Sequence, residues 1–246
     1  MKTMKTKITM LFAALFMCVM LVPAVKAEAA VVTPATPSGL GLYSQEKELF
    51  GLSWTFDTNL AIYSDVYPGY YGYEVVVSTL KNKQITTMDS EYYPNDFGLK
   101  DNKVVALVSN TKMKTQGFKF KVRSYVYDEN AQKVYSAFSK EKVIIPRATI
   151  TNKSLKSGKV KVTWKKVSGA KSYTVYLSSN NGQSFKKVGT TKKNSYTINK
   201  SLARYKDYYV YIQANNVKYK GKKYSSTKPT EKASNCSGFY ITTVYR

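Results

Sequence analysis

The run Gly158 to Ser178, GKVKVTWKKVSGAKSYTVYLS, constrains the fold more than any other part of the chain. Val160, Val162 and Trp164 alternate with Lys159, Lys161 and Thr163. After a Ser168-Gly169 turn, Tyr173, Val175 and Leu177 alternate with Thr174, Tyr176 and Ser178. Period-two alternation marks a strand with one apolar and one wet face. Two such strands, with a wide indole on the first, need a second apolar layer to cover them. The run therefore predicts a β-sandwich whose outer surface is often cationic.

The N-terminus reads as an address. Lys2, Lys5 and Lys7 precede an apolar run from Ile8 to Val22, a Pro23 break and small-residue sites ending at Ala27 or Ala29. The run is short of the roughly 20 apolar residues that a spanning helix needs, so residues 1–29 are expected to be a cleaved secretory signal peptide. Cys18 falls in its apolar part. The C-terminus carries no LPXTG signal, so attachment to a surface is expected to be non-covalent. Cleavage leaves one thiol, Cys236, and therefore no intramolecular disulfide.

A mature chain of this length suits two sandwiches of roughly 100 residues. Charge locates the boundary. Residues 31–147 carry 14 Lys/Arg and 12 Asp/Glu, a net +2, whereas residues 148–246 carry 21 and 2, a net +19. Pro146 in Ile145-Pro146-Arg147 ends strand pairing at the junction. The expected division is 30–147 and 148–246, joined by a short linker that leaves little freedom. In the first half, strands are expected near Leu40–Tyr43, Phe50–Phe56, Tyr73–Val77, Lys83–Met88, Val104–Val108, Phe118–Tyr127 and Lys142–Ile145. In the second they are expected from Ile150, over Val160–Trp164, Tyr173–Leu177, Phe185–Val188, Tyr196–Ile198 and Tyr208–Ala214, with Asn180-Asn181-Gly182 as a turn. The tail Phe239–Tyr245 reads as a further strand with no assigned partner.

Both halves resemble fibronectin type III domains. Each has a Trp on its second strand (Trp54, Trp164) and a Tyr opening its third (Tyr73, Tyr173). In the second half Tyr208, Val210, Ile212 and Ala214 alternate, with Leu202 six residues before the Tyr. The resemblance implies all-β, antiparallel, immunoglobulin-like sandwiches. It also implies a tyrosine corner at Tyr208, whose phenol bonds the loop backbone. The first half has Phe118 at that position, where no such bond can form. The run KVTWKKVSGAKSYTVY is similar to versions found in secreted proteins of Gram-positive bacteria. No Arg-Gly-Asp tripeptide occurs, so integrin recognition is not implied. Ser178 to Phe185 is similar to the Asp-box hairpin of sialidases, which is a structural turn.

The chain has no His, so proton transfer would need paired carboxylates. Asp57, Asp65, Asp128 and Glu129 are expected in first-half loops, whereas the second half offers only Asp207 and Glu231. A glycan-active enzyme using the former is one alternative; the principal reading names no catalytic residue, no metal and no cofactor. Two features suggest binding. Tyr63, Tyr67, Tyr70 and Tyr71 form a tyrosine-rich loop that can stack on a glycan or pack on a protein, or simply cover the end of the core. Lys159, Lys161, Lys165, Lys186, Lys187, Lys218, Lys220, Lys222 and Lys223 lie in a half whose self-repulsion is costly unless a polyanion offsets it. The expected function is a secreted, non-catalytic binding or adhesion protein. Its basic half would hold it on an anionic cell-wall polymer or membrane surface, and its first half would present loops to a glycan or protein. A ligand-free spacer and a binder of extracellular DNA are the remaining alternatives. The oligomeric state stays open.

Overall fold

The alternating runs form strands that pair only antiparallel. The computed structural model describes residues 33–46, 48–57, 71–91, 96–128, 130–156, 159–198, 202–203, 206–229 and 239–243. The proposed signal peptide, Tyr63, Tyr67, Tyr70, Asp65, Glu129, Glu231 and Cys236 lie outside the described residues.

In the first half, β1 (Gly41–Glu46), β2 (Leu49–Thr55), β5 (Phe97–Lys100) and β6 (Lys103–Ser109) form one sheet in the order β1-β2-β6-β5. Facing it are β3 (Tyr71–Thr79), β4 (Gln84–Asp89), β7 (Phe118–Tyr127) and β8 (Lys133–Tyr135), in the order β4-β3-β7-β8. Strand β9 (Lys142–Ile144) also pairs with β7. The second half repeats the plan. Strands β10 (Ile150–Lys156), β11 (Lys159–Trp164) and β14 (Ser195–Ile198) make one sheet. Strands β13 (Lys186–Thr191), β12 (Ser172–Ser178), β15 (Lys206–Asn215) and β18 (Phe239–Thr243) make the other, in that spatial order. A short hairpin, β16 (Val217–Tyr219) and β17 (Lys222–Tyr224), follows β15. In each half the first, second and fifth strands of the shared plan oppose the third, fourth and sixth, which is the arrangement of immunoglobulin-like sandwiches.

Two apolar cores result. The first gathers Phe50, Leu52, Trp54, Val75, Phe120 and Val122; the second gathers Val160, Val162, Trp164, Val175, Val210 and Ile212. Their centres match ring for ring. Trp54 meets Tyr73 edge to face at 5.2 Å and Trp164 meets Tyr173 at 5.3 Å, geometries that favour the quadrupoles of both rings. The Tyr173 hydroxyl accepts the Val167 backbone N–H at 2.9 Å. The backbone N–H of Asp57, also three residues after the Trp, faces the Tyr73 hydroxyl, and burial pushes that phenol far above its usual range. The tyrosine corner is present: the Tyr208 hydroxyl accepts from Ala203 N at 3.0 Å. Phe118, the corresponding residue, is fully buried and packs edge-on against Phe50 at 5.3 Å.

Two features depart from the sequence expectation, and the expected tail strand gains a partner. Strand β5 is an additional edge strand, paired through Phe97↔Ala106 and Leu99↔Val104; its four residues include Gly98 and are too few to show a period. The tail strand β18 pairs antiparallel with β15, from Lys206↔Thr243 to Val210↔Phe239. The outward face of β12 is not wet. Thr174 is buried, and Tyr176 is half-buried beside Tyr211, because Tyr211 and Phe185 lie over the centre of that sheet. The Asn180 turn closes on itself: Asn180 Oδ1 accepts from Ser178 Oγ and from Ser184 N, with Asn181 and Gly182 at positive φ.

Residues Thr33–Arg246 form one compact unit, and the junction between the cores is hydrogen-bonded throughout. Gln45 on β1 is buried. Its amide accepts from Arg147 N at 2.9 Å and donates to Arg147 O at 3.2 Å, while the Arg147 guanidinium donates to Gln45 O at 2.5 Å. Ser226 Oγ donates to Pro146 O at 2.8 Å, and Ser168 N donates to Thr115 O at 2.7 Å. Leu80 and Val143 pack against the second core.

Candidate functional site

Of the four tyrosines singled out from sequence, the described residues include only Tyr71. It opens β3, is half-buried against the first core and lines a cleft of about 290 Å³ with Phe56, Tyr73, Phe97 and Leu99. That packing favours a role in closing the end of the core.

The nine lysines are all exposed, and none has a carboxylate partner among the described residues. The fold does not gather them into one patch. Lys159 and Lys161 stand on the outer face of β11 and Lys165 follows it, whereas Lys186 and Lys187 lie on β13 in the opposite sheet. Lys218, Lys222 and Lys223 belong to the β16-β17 hairpin, and Lys220 sits at its tip with φ of 45°.

The fold does bring two of the nine against lysines that the sequence reading did not select. A groove of about 720 Å³ opens between the sandwiches, and Lys81, Lys83 and Lys112 of the first half line it together with Lys218 and Lys220 of the second. Among the described residues no Asp or Glu lines it. Lys81 and Lys83 flank Asn82, whose φ of 64° makes the tight β3-β4 turn; Thr79 N donates to Lys83 O at 2.8 Å and fixes the turn. Lys112 lies in a 3₁₀ turn, Thr111–Lys114, where Asn110 Oδ1 accepts its backbone N–H at 2.9 Å. Two nearby lysines are paired: Lys114 with Glu48 at 2.5 Å, and the buried Lys119, whose Nζ also stands 5.9 Å from the centre of the Tyr219 ring, with Glu141. No period or spacing relates residues 81–112 to 218–220, so only the folded junction reveals the set.

A second unselected cluster sits on the outer face of β7. Asp89 accepts from the Tyr125 hydroxyl at 2.6 Å and from Lys133 Nζ at 2.9 Å, and Lys133 also meets Glu91 at 2.8 Å. The Tyr127 hydroxyl donates to Glu91, and Lys133 Nζ stands 4.2 Å from the centre of the Tyr125 ring. Burial opposes ionisation of Asp89, but the Tyr125 and Lys133 hydrogen bonds outweigh it and hold the carboxyl below its usual range. Bonds from Lys133 and then Tyr127 lower Glu91 likewise. Desolvation and the bond to Glu91 push Tyr127 up to about 12. Carboxylates held ionised by a fixed cation are unsuited to act as a general acid near neutrality; the cluster pins β8 to β4. Asp128 caps its own turn, accepting from Asn130 N and Gln132 N. Among the described residues no three His, Cys, Asp or Glu side chains come together in a way that could hold a metal.

The geometry defines a class, a pair of immunoglobulin-like sandwiches with a cationic groove at their junction. No family model matches the chain, and no curated protein matches it. Among solved structures, it is similar to one described as the FN1-FN3 domains of chicken CNTN1, with 14% identity and a TM-score of 0.34. The match covers 87% of this chain and 66% of that one, so this chain spans just under two thirds of its length. The strand order above, and not this likeness, defines the fold.

Proposed function

We propose that the chain is a secreted, non-catalytic binding or adhesion protein, built as a tandem of fibronectin type III-like sandwiches divided at Arg147. Its basic half retains it electrostatically on an anionic envelope polymer, and its first half presents loops to a glycan or protein ligand. One observation carries this reading: a half of net +19 exposes nine selected lysines, none with a carboxylate partner among the described residues. Such a surface repels itself unless a polyanion lies against it. Long-range attraction of this kind concentrates the protein at a charged surface without requiring a shaped site. The paired carboxylates of β4 and the turn-capping role of Asp128 support the non-catalytic part.

The test is retention of the mature protein on Gram-positive cell walls before and after chemical removal of their anionic polymers. Retention that disappears with the polymers supports the reading. Retention unchanged by their removal contradicts it and indicates a shaped site on peptidoglycan or protein.

A further inference from the structure

We infer that the groove between the two sandwiches binds a phosphodiester-linked polyol chain. The inference rests on the reading of the protein as an anionic-polymer binder and assigns the site that does it.

Three observations converge on the groove. Among the described residues, Lys81, Lys83, Lys112, Lys218 and Lys220 line it, no carboxylate does, and none of the five has an acidic partner. Lys114, on the same 3₁₀ turn as Lys112, and Lys119, on β7, are each neutralised by a glutamate. Among the unpaired lysines, these five lie where the surface is concave, and concave low-dielectric walls focus a field. The lysines also sit on constrained backbone. Asn82 at φ 64° sets the first tip, and Lys220 and Gly221, at 45° and 75°, set the second. Both tips are tight turns that hold the backbone of these lysines at the rim of the groove, where a bound anion would offset their repulsion.

The lining chemistry selects the polymer. All five cations are lysines, compact point charges suited to phosphate but lacking the planar fork of arginine. Among the described residues Tyr219 is the one aromatic side chain lining the groove. Single-stranded nucleic acid is ordinarily held by successive bases stacked on several aromatic rings. A groove with five ammonium groups and one ring fits a chain of phosphates joined by small polar units.

The test uses the full mature chain and poly(glycerol phosphate), with oligo-dT as the comparison polymer. The groove variant is Lys81→Gln, Lys83→Gln and Lys112→Gln; the control, Lys159→Gln, Lys161→Gln and Lys165→Gln, removes the same charge elsewhere. The groove variant is expected to lose about tenfold or more in affinity for poly(glycerol phosphate). Its salt slope should fall by about 2 to 3, one counterion step per lost phosphate contact, while the control changes far less. The three groove positions changed to Arg should retain binding, which separates lost charge from lost folding. Equal losses in groove variant and control overturn the groove and leave electrostatic retention standing. Tighter, groove-dependent binding of oligo-dT overturns the choice of polymer. Wild-type protein that binds neither polymer overturns the underlying reading as well.

Discussion

At the scale of single residues, the two halves provide an internal comparison. Tyr208 and Phe118 hold equivalent places on β15 and β7, but only Tyr208 can bond the loop before it, through Ala203 N. Tyr208→Phe should lower stability by about 1 kcal/mol, the net worth of one buried hydrogen bond. A thermal midpoint lower by a few degrees would show this, and an unchanged midpoint would show that packing alone fixes that crossover. Both Trp-Tyr pairs and the corner were legible in the sequence because each rests on local spacing along one or two strands. The serines after the last hairpin were not. Ser136 Oγ accepts from Ser124 N, and Ser226 Oγ accepts from Ala214 N, so each satisfies an edge of its sixth strand. Short polar residues after a turn look alike in sequence whether they face water or a backbone donor.

At the scale of elements, the edge strand β8 depends on charge more than on apolar burial. Lys133 bridges Asp89 and Glu91 while lying over Tyr125. The folded-state pKa values of both carboxyls are depressed, so their contribution to stability is present in full above the unfolded-state values near pH 4. It is lost as pH falls through the lower folded-state values. Denaturant melts between pH 7 and pH 2 should show wild-type stability falling below about pH 4. Asp89→Asn should cost about 1 to 3 kcal/mol at neutral pH, the range for a hydrogen bond to a charged partner, and should flatten the acid limb. Parallel curves for variant and wild type would contradict that assignment. The network escaped the sequence because its residues lie on β4, the turn after it, β7 and β8, and only the pairing of the sheet brings them together.

At the scale of the whole molecule, the chain behaves as two sandwiches with a hydrogen-bonded junction. In sequence, the charge asymmetry and the break at Pro146 are what suggest a division at Arg147, because both are compositional. The junction's contacts and its groove arise only when the β3-β4 turn, the 3₁₀ turn and the β16-β17 hairpin meet, and a count of charge per half assigns their lysines to different modules. Gln45 and Arg147 exchange three hydrogen bonds at this seam, all with little access to water. Gln45→Ala leaves two buried Arg147 backbone groups without that partner, so calorimetry should show the two sandwiches melting at separate temperatures. A single transition with an unchanged midpoint would mean that the apolar contacts of Leu80 and Val143 couple them unaided.

The central claim is that this protein holds an anionic polymer by charge. The most direct measurement is the affinity of the full mature chain for poly(glycerol phosphate) across a salt series. With about four phosphates contacted, affinity should fall roughly 100-fold between about 50 and 200 mM salt, along a straight log-log line. An affinity that barely changes across that range would contradict the account, because a site built on exposed lysines cannot be indifferent to salt.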